Sequence, residues 1–173
     1  MSSTNPALSR RDSDIGALGE DLVSRWLQQQ GWMVLYRRWH CRWGEIDLIA
    51  RWDPTGQSPG QPVLAFLEVK TRSYRNWDAD GLLSITPKKQ QKLWLSARSF
   101  LGDHPDLAEL PCRFDVALVC CRRVPVRHIQ PLPIVQEQER PDPMKSVIQL
   151  GQPVVAGSYQ LVLQDYISGA FDR

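Results

Sequence analysis

No apolar run in this chain comes near the ~20 residues that a membrane-spanning helix needs. The longest are Val63-Leu64-Ala65-Phe66-Leu67 and Val116 to Cys121. A secretory signal is not expected either, because Met1 to Asp12 is polar and lacks an apolar centre. Cysteine is scarce, at four residues (Cys41, Cys112, Cys120 and Cys121), and no C-x-x-C pair occurs. Adjacent residues such as Cys120 and Cys121 point to opposite faces of a strand. This excludes a disulfide framework and a zinc site as working readings and favours reduced thiols in a cytoplasmic protein. The histidines His40, His104 and His128 are dispersed, without ligand spacing. There is no glycine-rich phosphate loop and no nucleophile elbow. Net charge is only +2, so composition alone does not mark a polyanion binder.

What is present is a chain of 173 residues with 42% hydrophobic and 23% charged residues. Those are values of an ordinary globular domain, and the length suits one core. The charge is unevenly spread. Arg37 to Arg98 holds eleven Lys/Arg and six Asp/Glu, an excess of five, which leaves 2 − 5 = −3 for the rest. Such clustering is either an electrostatic footprint for a nucleic acid or a solvated surface.

Residues 1–12 read as a flexible tail before a single domain over 13–173. Asp12, Ser13 and Asp14 offer helix-capping oxygens, and Ile15, Leu18, Leu22, Val23, Trp26 and Leu27 follow the helical repeat until Gly31. The first helix is therefore expected at about 14–30. Strands are expected at Trp32–Arg37 and Glu45–Arg51 around a basic, aromatic turn at 38–44, then at Val63–Arg72 after a loop at 53–62. Short connections make these an antiparallel meander. Thr86-Pro87 marks a second helix, to about residue 101. A strand at Arg113–Cys121 precedes a stretch at about 122–158 that holds six prolines and reads as an extended insertion. Tyr159–Tyr166 is the last strand. The order αβββαβ plus a final strand predicts an α/β fold, a mixed sheet flanked by helices.

Alternation on the third strand puts Glu68 and Lys70 on one face with Leu64 and Phe66. Val63, Ala65, Leu67 and Val69 form a uniformly apolar face, expected to be the core side. On the second strand, Ile46, Leu48 and Ala50 are expected on one face and Glu45, Asp47 and Ile49 on the other. If these strands pair, Asp47 lies near Glu68. Two adjacent carboxylates disfavour joint ionisation unless a cation neutralises them. A hard divalent ion with oxygen ligands, Mg2+ above all, fits such a pair, with the Val69 carbonyl as a further ligand. At ~100° per residue the first helix places Glu20 at the seam between core and solvent. Gly16 and Gly19 are expected to mark close approach of that helix to the sheet, bringing Glu20 to the strand acids. The catalytic set read from this pattern is Glu20, Asp47, Glu68 and Lys70, with Asp47, Glu68 and Glu20 as metal ligands. The alternative is a surface ion pair of Glu68 with Lys70 beside unrelated acids.

Gly19-Glu20, Gly44-Glu45-Ile46-Asp47-Leu48-Ile49-Ala50 and Phe66-Leu67-Glu68-Val69-Lys70-Thr71-Arg72 resemble the bacterial YraN family. Arg113-Phe114-Asp115-Val116 and Gly169-Ala170-Phe171 are similar to its later motifs. The resemblance implies the restriction-endonuclease-like, PD-(D/E)xK superfamily and a likeness to archaeal Holliday-junction resolvases. It places the superfamily's metal acids on Asp47 and Glu68, its lysine on Lys70 and its helix acid on Glu20. Ile46 stands where the motif name has proline, and the insertion departs from the compact family pattern.

The remaining basic residues supply candidate phosphate contacts: Arg37, Arg38, Arg42, Arg72, Lys88 and Lys92. Lys89 belongs to the same helix turn as Lys88. Arg38 and Arg42 are expected to stand apart from the acids. Trp39 and Trp43 either stack on unpaired bases or turn into the core. Asp115, among apolar neighbours, reads as structural more than catalytic. The leading function is a Mg2+- or Mn2+-dependent nuclease for structured or branched DNA. A nucleic-acid-binding protein without turnover is the second reading, and an interaction module using the proline-rich insertion the third. The expected partner is nucleic acid, DNA above RNA, with no membrane and with a homodimer as one arrangement.

Overall fold

The computed structural model describes residues 6–54, 60–73, 85–124 and 147–171, with the side chains of the first helix described from Ile15 onward. Helix α1 spans Pro6–Gln29 and so begins well before the expected start at 14, within the stretch read as a tail. Pro6 suits a first helical position, where its missing N–H has no partner to lose. The helix closes as the sequence predicts. Gly31 adopts φ +84°, its N–H reaches the Gln28 carbonyl at 3.1 Å, and the Trp32 N–H reaches the Leu27 carbonyl at 3.0 Å. These two bonds satisfy carbonyls that the helix end leaves open, and the left-handed residue they require is a glycine.

Strands β1 (Met33–Cys41), β2 (Gly44–Trp52) and β3 (Val63–Ser73) form the antiparallel meander. Helix α2 (Pro87–Asp103) and a 3-10 turn (Pro105–Leu107) cross to β4 (Cys112–Arg123), which pairs parallel to β3. Strand β6 (Tyr159–Ile167) pairs antiparallel with β4, and β5 (Pro153–Ala156) lies outside it. The six-stranded mixed sheet has the order β1-β2-β3-β4-β6-β5. With a helix on each face, it is the α/β architecture expected, consistent with a restriction-endonuclease-like core.

Four details differ from the sequence reading. The turn expected over 38–44 shrinks to Arg42 and Trp43, because Trp39 packs edge-on against Phe100 and His40 pairs with Glu45 across the hairpin. Part of the stretch read as insertion is a strand, β5, whose proline stands at the strand's first residue, where a missing donor is tolerated. Residues 125–146 of that stretch lie outside the described residues.

The third difference concerns the core. Leu64 and Phe66 are as buried as Ala65 and Leu67. Ala65 and Leu67 join Leu22, Val23 and Leu27 under α1, while Leu64 and Phe66 join Leu93, Ala97 and Phe100 under α2. Both faces of β3 are therefore core faces, as befits a central strand with a parallel neighbour. The fourth concerns β2. Leu48 and Ala50 face α1, but Ile46 packs under α2 together with Ile49. Alternation thus breaks at Asp47, where the β2–β3 ladder ends at Leu48↔Leu67.

Of the two glycines expected to mark close approach, only Gly19 does so. A Cβ there would lie 1.9 Å from Thr71 Oγ1, 3.1 Å from its Cβ and 3.3 Å from its Cγ2, whereas nothing lies within 4 Å of one at Gly16. Rotating Thr71 would only exchange one crowded branch for another. Gly19→Ala is expected to destabilise the fold by about 1–3 kcal/mol, the usual range for overpacking. Urea unfolding followed by circular dichroism checks this, and Gly16→Ala in the same experiment is expected to be neutral or mildly stabilising.

Candidate active site

The site forms where β2 and β3 part. Beyond Leu48↔Leu67 the ladder has no next rung. Instead the Asp47 carboxylate turns inward and its Oδ2 accepts the Val69 N–H at 2.7 Å. A side chain thereby satisfies a backbone donor that the separated strand can no longer reach.

Glu68, one residue before, is 3% exposed. Its Oε1 accepts a hydrogen bond from Lys70 Nζ at 2.6 Å, the i, i+2 relation that puts both side chains on one face. Lys89 of α2 brings a second ammonium to within 2.9 Å of Oε2. That contact is an ion pair by distance without hydrogen-bond alignment, so Oε2 remains a buried oxygen with no hydrogen bond. Thr71 Oγ1, beside Gly19, is in the same condition.

Glu20 enters from α1. It is 8% exposed and is gripped by Arg38 through two bonds, Nε to Oε2 at 2.7 Å and Nη2 to Oε1 at 3.0 Å. The fork-on-carboxylate geometry is the strong form of this pair. Arg38 carries a φ of +49°, the one non-glycine residue in that region among those described. Its neighbours in the β1–β2 register, Arg37↔Leu48 and Trp39↔Ile46, set Arg38 opposite Asp47. Arg38 therefore belongs to the acid cluster, contrary to the expectation that it stands apart.

The electrostatics follow from burial. The Asp47 carboxyl is pushed up to about 7, first by burial and then by the negative charge of Glu68. Glu20 adds to the rise, while the Val69 N–H and Lys89 oppose it. Glu20, Asp47 and Glu68 thus form one interacting group, matched in number by Arg38, Lys70 and Lys89. Among the described residues no group of three His, Cys, Asp or Glu side chains is arranged to hold a metal ion together.

The other candidate residues lie around this centre. Arg37 pairs with Asp21 at 3.2 Å on the surface. Arg42 sits at the hairpin tip with its guanidinium 4.6 Å over the Trp43 ring, and Trp43 is 39% exposed. Trp43 is thus available for stacking, whereas Trp39 is turned inward. Lys88 and Lys92 are exposed on α2, and Arg72 is half-buried near the end of β3. His40 contacts Glu45 at 3.2 Å, and His104 is fixed between Tyr36 Oη and the Phe100 carbonyl, both at 2.8 Å. Asp115 is structural, as expected: it accepts from Arg113 Nε, Tyr166 Oη and the Gly169 N–H. Burial and the Asp115 charge raise the Tyr166 hydroxyl above the ordinary tyrosine range.

Sequence reasoning misses Lys89 as a partner of the acids, although a signal exists. It stands four residues before Leu93 and seven before Ser96, both buried, and so continues the core-facing stripe of α2.

The fold is that of an α/β protein, consistent with a restriction-endonuclease-like core. The chain belongs to the uncharacterised protein family UPF0102, whose pattern matches residues 19–119, and the YraN family is this same family. It is 51% identical over 169 residues to the UPF0102 protein of Acaryochloris marina, covering 96% of this chain and 94% of that one. It is 42% identical over 174 residues to a UPF0102 protein of Trichodesmium erythraeum, covering 98% and 95%. A UPF0102 protein of Synechocystis is 39% identical over 160 residues, covering 92% and 98%. No described helix is long and apolar enough to cross a membrane.

The raised Asp47 value has a consequence for stability. A carboxyl that binds its proton more tightly when folded than when unfolded favours the folded state at low pH. That contribution is complete below the ordinary value of 3.8 and is lost as pH rises towards about 7. In metal-free buffer the thermal midpoint is expected to fall across this window. Asp47→Asn, which cannot ionise, is expected to flatten the profile. Calorimetry of both proteins at several pH values checks it, with the same slope in each counting against the assignment.

Proposed function

We propose that this protein is a metal-dependent nuclease that hydrolyses phosphodiester bonds of structured or branched DNA. The observation that carries the reading is the pairing of half-buried Asp47 with buried Glu68 at the parting of β2 and β3, crowded enough to hold a proton near neutrality and keeping a carboxylate oxygen without a hydrogen bond. Hard oxygen donors, one of them without a hydrogen bond, fit Mg2+ or Mn2+. Asp47 and Glu68 would hold the ion, with the Val69 carbonyl as a further oxygen ligand. A bound divalent ion polarises a phosphate and lowers the pKa of attached water.

The chain's own groups would then divide the remaining work. Lys70, fixed on Glu68, is placed to stabilise negative charge as it develops on the phosphate. Glu20, held rigid by Arg38, would orient water at the edge of the cluster. Arg42 and Trp43 at the hairpin tip, with Lys88 and Lys92 on α2, would meet the nucleic acid through phosphate contact and stacking.

One observation favours the second reading, a nucleic-acid-binding protein without turnover. The cluster is already charge-balanced, three acids against Arg38, Lys70 and Lys89, without any metal. A panel of single-stranded, duplex and four-way-junction DNA with Mg2+ or Mn2+ separates the two. The nuclease reading expects cleavage by the wild type and loss of on the order of 10²-fold or more in Asp47→Asn and Glu68→Gln, the scale for removing a group that stabilises a transition state. DNA binding by both variants should hold or strengthen, since each removes negative charge near phosphate. Binding without cleavage on every substrate supports the second reading.

The binding surface has its own test. Replacing Arg42, Lys88 or Lys92 by Ala is expected to lower the log–log salt slope of duplex binding by about 0.9 for each phosphate no longer neutralised. The weakening should be uniform across sequences, because phosphate contacts carry no base information. Titrations at several salt concentrations that superimpose on the wild type would remove these residues from the surface.

A further inference from the structure

The two lysines on Glu68 are held in different ways. Lys70 comes from the same strand and donates a well-formed hydrogen bond to Oε1 at 2.6 Å. Lys89 comes from another element, approaches Oε2 at 2.9 Å and leaves that oxygen without a hydrogen bond. Its ammonium also acts on Asp47, where its positive charge works against burial and the neighbouring acids. Lys89 therefore contacts Glu68 from the side of α2 and acts on Asp47 through its charge.

Among the described residues, the carboxylate paired with that ammonium is Glu68. Lys89 stands in the first turn of α2, just after Thr86 and Pro87, at the helix end that disfavours a cation. What secures the turn is its backbone: the Lys89 N–H reaches the Thr86 carbonyl at 2.8 Å and Thr86 Oγ1 at 3.3 Å. The side chain is one-third exposed, on a flexible stem with open solvent beside it. A single charge on such a stem, without hydrogen-bond alignment, is held less firmly than the hydrogen-bonded Lys70.

We propose that the Lys89 ammonium is a built-in counter-ion occupying the cation place between Asp47 and Glu68, and that a divalent metal must displace it to load there. The proposal rests on the metal-site reading above. It makes Lys89 a positioning residue that sets metal affinity: the acids are kept neutralised while no metal is bound, and loading is opposed by one positive charge. Lys70, tied to Oε1, is not displaced.

Mn2+ binding to the full chain, read from the loss of the free-ion electron paramagnetic resonance signal, tests this. Lys89→Met keeps the length of the side chain and removes the charge. It is expected to bind Mn2+ about tenfold tighter than the wild type, since one like charge beside the site is gone. Lys89→Arg, which keeps the charge, is expected to bind no tighter than the wild type. Equal or weaker binding by Lys89→Met overturns the proposal. If the wild type binds Mn2+ and Asp47→Asn abolishes it, while Lys89→Met matches the wild type, only the role of Lys89 falls. If neither the wild type nor Lys89→Met binds Mn2+, the metal-site reading falls and takes the proposal with it.

Thermal melting gives a second readout that does not need full stability in the variant. Without metal, Lys89→Met is expected to melt below the wild type, because buried Glu68 and half-buried Asp47 lose a counter-charge. On adding Mn2+ its midpoint should rise by more than that of the wild type. An equal rise in both proteins overturns the displacement.

Discussion

The structure turns on the need to neutralise buried carboxylates where two central strands separate. A buried charge without a partner is far more costly than almost any packing defect. Glu68 cannot be 3% exposed unless cations are brought to it, and the chain brings Lys70 from β3 and Lys89 from α2. Glu20 on α1 makes the same demand, met by Arg38 on β1. Five elements, α1, β1, β2, β3 and α2, are thus tied to one another by charge at a single place, in addition to the two apolar layers that hold them together elsewhere. Gly19 belongs to this arrangement, since only a residue without a Cβ lets α1 come against Thr71 and deliver Glu20 beside it.

Much of this is legible from residue order. The helical repeat from Ile15 to Leu27 and the glycine after it describe the later part of α1 and its end, though not its start at Pro6, and the Thr86-Pro87 pair starts α2. The meander and the parallel return of β4 follow from short loops and an intervening helix. The i, i+2 relation of Glu68 and Lys70 is a property of any strand. What is not legible depends on tertiary context. Period-two alternation cannot reveal that Leu64 and Phe66 are covered by a second helix, because a strand buried on both faces has no polar side to read. It also fails at Asp47, where the strand twists so that Ile46 falls under α2. The hairpin's length is obscured by its charges: Arg38 is paired and Trp39 packed, so a basic aromatic stretch that looks like a loop is strand. Lys89 is hidden by its neighbours Lys88 and Lys92, which are exposed, although the buried stripe through Leu93 and Ser96 gives its direction.

Membership of the UPF0102 family and the sheet topology define the scaffold, and a scaffold of this kind does not determine chemistry. The chemistry has to be argued from the end of the sheet where β2 leaves β3. There the backbone itself is incomplete, and a carboxylate stands in for a missing ladder partner at Val69. A strand end opened in this way gathers Asp47 and buried Glu68 on rigid elements of the sheet.

Two of the chain's buried acids show how the same residue type is made structural in one place and poised in another. Asp115 is 1% exposed, yet its oxygens take bonds from Arg113, Tyr166 and Gly169. It fastens β4 to β6 and to the turn after β6, and these partners already use both oxygens. Glu68 is nearly as buried and has two ammonium groups beside it, but its Oε2 takes no hydrogen bond from either. Burial and negative charge are alike in the two; the difference lies in directional satisfaction. Two ammonium groups stand beside Glu68 but leave its Oε2 without a hydrogen bond, and Asp47 is driven towards neutrality by burial and by the Glu68 charge, with Lys89 opposing. An acid whose oxygens are both taken by fixed donors has no capacity left for a ligand, whereas one with an oxygen free of hydrogen bonds does. That asymmetry, more than the acidity of either residue, distinguishes Glu68 from Asp115, whose oxygens are both taken.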